Sequence, residues 1–261
     1  MRYKLKLYIS RWKNVYNDIS FTAEPGQIIG VTGPVASGKS TLGRTFLCEY
    51  PYEGSIRYNG CELRNATDNV RSGIISYLGH DSELFNDSVR NNVLLGDDYD
   101  VFEYLRAVCM DKEVEAMEQG ADTIIGSEGI RLSGGQAQRI ALARTLCHKK
   151  PVLVLDDPFS ALDRNTEEQI YKKLKDMASD NIVILISHRL YMFPKMDKVI
   201  WMDAGKANVG THKELMLECP GYRKMYETVS AEECRAVETQ NEGLAAAKVV
   251  KNSRRVVDKH E

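Results

Sequence analysis

The chain has 261 residues, 43% of them hydrophobic and 28% charged, with a formal net charge of −2. That length suits one large domain or two small ones with a sizeable core, and the near-neutral balance gives no electrostatic reason to expect nucleic acid as a partner. Its longest apolar runs, at residues 152–155 and 182–186, are too short to span a bilayer, and residues 1–12 lack the apolar stretch of a signal peptide.

Taken in chain order, residues 3–9 and 19–23 alternate as half-exposed strands do, and residues 27–32 read as a buried strand. That strand runs into Gly33-Pro34-Val35-Ala36-Ser37-Gly38-Lys39-Ser40, followed by Thr41, which fits G-x-x-x-x-G-K-[ST] ahead of a helix expected over about 39–48. Glycines let backbone N–H groups converge on phosphate oxygens, and the helix start adds partial positive charge. Lys39 is suited to the β- and γ-phosphates of ATP, and Ser40 to Mg²⁺. Residues 54–58 and 61–63 flank Asn59-Gly60 as a hairpin whose turn wants positive φ. Residues 87–118 are helical in pattern and carry no strand signal.

Leu132-Ser133-Gly134-Gly135-Gln136 opens a helix expected to reach about Leu146, a second anion-binding start. One domain has little use for two phosphate-binding loops, so the second is suited to a nucleotide held by another subunit. The buried run at 152–155 then delivers Asp156 to the carboxyl end of a strand, where open α/β sheets bind ligands. Asp156 is the second expected Mg²⁺ partner. Asn165 and Glu168 read as a capping box, and Ile170, Leu174 and Met177 recur at helical spacing as core. Another buried strand follows at 182–186. From about Ala231 the chain turns polar, acidic residues first and basic ones after, so that 230–261 reads as a helical extension or solvated tail. Six scattered cysteines (Cys48, Cys61, Cys109, Cys147, Cys219, Cys234) include no C-x-x-C pair, which speaks against zinc or redox chemistry and suits a reducing cytosol.

With these motifs in hand, residues 3–229 resemble the ABC transporter ATPase family, whose signature is LSGGQ. The resemblance implies an α/β P-loop NTPase (RecA-like) core, an antiparallel β subdomain, and a helical subdomain inserted at about 84–148. It implies that Ser160-Ala161-Leu162-Asp163 is a D-loop at a dimer interface and that His188 is the switch histidine contacting the γ-phosphate. It places Trp12 where an aromatic ring stacks on adenine, with Tyr8 or Tyr16 able to take that role. Ser133, Gly134, Gly135 and Gln136 would reach across the interface to a nucleotide held by a second ABC ATPase domain, and a transmembrane permease domain or subunit would hold the pair at the cytoplasmic face of a membrane. The segments Thr123-Ile124-Ile125-Gly126-Ser127-Glu128-Gly129, the run at 84–93, and Gly210-Thr211-His212-Lys213-Glu214-Leu215 resemble exporters.

Two positions depart from the family pattern. The residue after the metal-binding Asp is usually a Glu acting as general base, and here it is Asp157, one methylene shorter. Misplacement of a carboxylate by about 1 Å costs roughly a hundredfold in rate. His80 stands where the family has a Gln meeting Mg²⁺ and the attacking water. Both changes surround the same water, so the expectation is a slow, degenerate ATP site in a dimer with a non-identical partner. A soluble ABC ATPase or a non-hydrolysing regulatory module is the alternative.

Overall fold

The computed structural model describes residues 4–12, 16–80, 83–127 and 129–229, with the backbone alone for 10–12 and 16–18. The tail beyond 229, including Cys234, lies outside the described residues. The first third of the chain forms β1 (Leu5–Trp12), β2 (Tyr16–Ala23), β3 (Ile28–Thr32), α1 (Lys39–Thr45), β4 (Glu53–Tyr58) and β5 (Cys61–Glu62). After a short α2 (Asp68–Ser72) and β6 (Ile75–Leu78) comes β7 (Asp87–Ser88), followed by α3 (Val89–Leu94), α4 (Val101–Ala107) and α5 (Asp111–Glu115). The remainder is β8 (Ile124–Ile125), α6 (Gly134–Cys147), β9 (Val152–Asp156), α7 (Arg164–Met177), β10 (Ile182–Ile186), β11 (Lys198–Asp203), β12 (Lys206–Gly210) and α8 (His212–Glu218).

Ten strands make one sheet in the order β5-β4-β1-β2-β12-β11-β3-β10-β9-β6. From β11 to β6 every neighbouring pair is parallel, whereas β5, β4, β1 and β2 pair antiparallel. The two regions meet at β2 and β12, where the registered rung among the described residues joins Lys206 to Asn17. Strands β3, β9 and β10 are buried along their whole length. Their side chains alternate between two cores: Leu153, Leu155, Val183 and Leu185 face one, and Val152, Val154, Ile182, Ile184 and Ile186 the other. Burial on both faces is what the unbroken apolar runs require. The carboxyl ends of these strands therefore converge, and residues 156–157, 187–188 and 33–41 all leave the sheet there.

The expected α/β layout holds, with local corrections. The helix after the phosphate loop ends at Thr45 rather than 48, because Leu47 and Cys48 turn back onto the carbonyls three residues earlier and Cys48 adopts φ 58°. Asn59 and Gly60 have φ 49° and 85°, as the hairpin turn requires. The stretch read as wholly helical from 87 begins instead with β7, which pairs with β8. The proposed Asn165/Glu168 cap does not form. Asp163 caps α7, its carboxylate accepting from Thr166 N at 3.0 Å, so the helix starts at Arg164.

Candidate functional site

An open cleft of about 530 Å³ lies at the carboxyl edge of the parallel strands, lined by Val35, Ala36, Gly38, Lys39, Ser40, Thr41, His80, Asp156, Asp157, Ile186 and His188. It gathers most of the residues expected from the phosphate-loop pattern. Gly33 has φ 155°, and a Cβ there would fall 2.0 Å from the Met202 carbonyl oxygen on β11, so only glycine lets the loop leave β3 this close to its neighbour. Gly38 (φ 92°) starts α1 with no side-chain cap, leaving first-turn N–H groups without intrahelical partners beside the cleft.

Lys39 is buried, and its ammonium donates to the Gly33 and Pro34 carbonyl oxygens at 2.9 and 2.7 Å. Burial lowers its pKa, opposed by the charges of Asp156 and Asp157. A charge held this way beneath an open loop suits an anion arriving from the cleft. Asp156 is almost wholly buried at the end of β9 and accepts from the Tyr77 hydroxyl at 3.2 Å. Burial, then Asp156, pushes Tyr77 up to about 12.

Asp157 follows with φ 50°, its N–H donating to the Ile186 carbonyl at 2.9 Å. Burial raises its carboxyl pKa, while His188 and His80 pull it down. His188 shifts downward, first through burial and then through Lys39, against the pull of Asp157 and Asp156. Lys39, Asp156, Asp157, His80 and His188 thus form one electrostatic cluster.

Ser133, Gly134, Gly135 and Gln136 do not line this cleft. The Ser133 hydroxyl accepts from Gln136 N, and Gln136 Oε1 accepts from Ser133 N, so α6 carries its own capping box. Gln136 Nε2 and Arg139 Nη1 both reach Glu113, at 2.8 and 2.7 Å, which ties the helix start to α5. Gly135 packs so tightly that a Cβ would lie 2.7 Å from the Ala161 carbonyl oxygen. A second hollow of about 400 Å³, lined by His80, Glu83, Gly134, Ala137, Gln138, Ser160 and Ala161, adjoins this end. His80 borders both hollows. Trp12 closes β1, but its side chain and that of Tyr16 lie outside the described residues, while Tyr8 is half exposed.

A family model described as ABC transporter matches residues 16–160. The chain belongs to the ABC transporter family. Its ATPase domain is 35% identical over 226 residues to a probable multidrug resistance ABC transporter ATP-binding/permease protein of Bacillus subtilis, covering 84% of this chain and 39% of that protein. It is 38% identical over 222 residues to an ATP-dependent lipid A-core flippase of Pseudomonas syringae, covering 82% of this chain and 37% of that one. The solved structure of a bacterial Atm1-family ABC exporter with ATP bound superposes with a TM-score of 0.80 at 29% identity, over 88% of this chain and 42% of that chain. The chain therefore spans about two fifths of the length of these relatives.

An ABC ATPase domain generally works with nucleotide and Mg²⁺, and the residues present fit both. Asp156 and Ser40 offer hard oxygen donors in the cleft that holds Lys39. No group of three or more His, Cys, Asp or Glu capable of holding a metal occurs among the described residues. Sequence reasoning missed Tyr77, whose hydroxyl braces Asp156; its strand, β6, is only four residues long and carried no recognisable pattern. It also missed Glu167, buried on α7 against Arg189 and Tyr191. Among the described residues, no helix is long and apolar enough to cross a membrane.

Proposed function

We propose that this ABC ATPase domain binds Mg·ATP in the Lys39 cleft and powers a membrane exporter by ATP-driven pairing with a second ABC ATPase domain, its own site turning ATP over slowly. The observation that carries this reading is the separation of the two phosphate-binding elements. Lys39, Ser40, Asp156, Asp157, His80 and His188 share one cleft, while Ser133–Gln136 stand outside it and brace themselves on Glu113. Such a half-site is completed by another subunit.

Within the half-site, Lys39 exchanges its loop carbonyls for the β- and γ-phosphates, and the N–H groups of the loop and the start of α1 hold the remaining phosphate oxygens. Ser40 and Asp156 would hold Mg²⁺, which would supply charge neutralisation of the phosphates. His188, kept neutral by burial and Lys39, is suited to donate or accept one hydrogen bond at the γ-phosphate without adding charge. Asp157 is the base candidate, with a raised pKa that favours proton acceptance but a side chain short of the family's Glu. Trp12, or Tyr8 or Tyr16, stacks on adenine, and Ser133, Gly134, Gly135 and Gln136 serve the partner's nucleotide.

The exporter assignment draws on the names of the two relatives and the solved neighbour. It is supported by Phe85, Ile124 and Ile130, large apolar side chains at least 44% exposed around β7 and β8. A permease domain on the cytoplasmic face of the membrane is the partner we assign to that patch.

Two measurements test the reading. Lys39→Ala should abolish ATP binding in a direct titration. In the mixture with its partner, Asp157→Asn should lower turnover by less than about tenfold, against roughly a hundredfold or more for an essential base. A near-complete loss would show that this site hydrolyses at full rate.

A further inference from the structure

Glu167 has no exposed surface, lies outside the cleft, and has no part in the chemistry above. It sits one turn into α7, just beyond the Asp163 cap that ends the turn Ser160-Ala161-Leu162-Asp163. Its carboxylate is held from both sides by the segment that carries His188. Arg189 Nε lies 2.9 Å from Oε1 as an ion pair, and the Tyr191 hydroxyl donates to Oε2. The Arg189 guanidinium also reaches back to the Leu162 carbonyl at 3.5 Å, and its backbone N–H donates to Ser187 Oγ at 3.0 Å. Arg164, the first residue of α7, stacks its guanidinium 4.2 Å from the centre of the Tyr191 ring. Arg189 and Tyr191 are therefore both fastened to the start of α7, Ser187 is bonded to the Arg189 N–H, and His188 between them stands partly exposed at the edge of the cleft.

A buried carboxylate is costly unless paired, and a hydrophobic residue would satisfy packing there equally well. Burial raises the Glu167 pKa against the opposing effects of Tyr191 and Arg189, so burial works against the charged form that these two partners favour. We propose that Glu167 is a positioning residue that clamps the His188 segment to the 160–163 turn, so that the place of His188 over the cleft is set by that turn. The proposal rests on the reading of the cleft as an ATP site with His188 at the γ-phosphate. Through it, anything that shifts residues 160–163, such as a second ATPase domain resting on them, reaches His188 by way of two side chains rather than through the sheet.

The test uses the full chain, ATP with Mg²⁺ as the probe, and ethoxycarbonylation of the His188 imidazole by diethylpyrocarbonate, read by peptide mass. In the wild type, ATP should slow His188 modification at least about fivefold, as a ligand occupying its site excludes the reagent. Glu167→Gln and the gentler Tyr191→Phe, which removes one hydroxyl, should leave ATP affinity within about twofold while most of the protection is lost. Glu167→Gln combined with Arg189→Gln should lose no more protection than either alone, since both remove one clamp. Protection at the wild-type level in folded Glu167→Gln or Tyr191→Phe, or additive losses in the double variant, would overturn the clamp. If ATP protects His188 in none of the proteins although it binds, the γ-phosphate role of His188 fails and the clamp's function fails with it. If ATP does not bind the wild type, the reading of the cleft itself is wrong.

Discussion

At the scale of single residues, Asp157 combines three properties that belong together. It occupies φ 50°, a region that L-residues other than Asn and Asp seldom enter. Its carboxyl is pushed up by burial, and it stands among His188, His80 and Asp156. A short acid is the residue this backbone tolerates best, so chemistry and conformation pull in opposite directions here. Asp157→Glu combined with His80→Gln should therefore raise ATP turnover at this site by about a hundredfold, the inverse of the misplacement cost, when assayed in the mixture with a partner whose own catalytic base has been removed. The same pair should lower stability by about 1 kcal/mol, because a longer side chain is less suited to positive φ. Steady-state turnover and thermal unfolding check both; unchanged turnover would mean that neither substitution is what slows the site.

At the scale of elements, the end of the described chain is held by an aromatic cluster around α8. Thr211 and Glu214 form a capping box, and the His212 Nδ1 lies 2.7 Å from the hydroxyl of the fully buried Tyr222. Tyr226 and Trp201 pack against the same rings. Burial lowers the His212 pKa from 6.5, so the imidazole is neutral in the fold near pH 7 and shares a hydrogen bond with the Tyr222 hydroxyl. As pH falls through 6.5 the unfolded chain takes up its proton first, and stability is lost on the way to the lower folded value. Melting temperature should fall between pH 7 and about 5.5, and fall less in His212→Phe. Equal falls in the two proteins would assign the loss to other groups.

Elements differ in how readily the sequence discloses them, and for physical reasons. The runs at 152–155 and 182–186 announced themselves because strands covered on both faces must be apolar throughout. The phosphate loop was legible because its glycines answer to backbone geometry, as Gly33 against Met202 shows. By contrast, β12 (KANVG) has no buried residue and drew its strand character from pairing with β11. The two-residue β7 exists through its contact with β8, distant in sequence. Asp163 capped α7 ahead of Asn165 because its carboxylate reaches both the N–H and the hydroxyl of Thr166. Glu167 looked like one more surface charge on a polar helix. Its burial depends on Arg189 and Tyr191, which only the fold brings alongside.

At the scale of the whole molecule, the parallel strands carry Asp156, Asp157 and His188 at their carboxyl ends, and the antiparallel strands carry the end of β1 where Trp12 stands. Those two regions share a continuous sheet but meet at β2 and β12 through one registered rung among the described residues, Lys206 to Asn17. A ladder with one rung gives way before a ladder with four, and β3 holds β10 by four. Amide hydrogens at the β2–β12 boundary should accordingly exchange with solvent well ahead of those in β3 and β10, in a native-state exchange experiment. Simultaneous exchange across the sheet would show that the boundary is no weaker than the rest. If the rung does yield first, the antiparallel region can swing like a shutter on its post. The end of β1, where we propose that the base of a nucleotide stacks, would then move independently of the phosphate loop, and a captured nucleotide would be what latches the shutter closed.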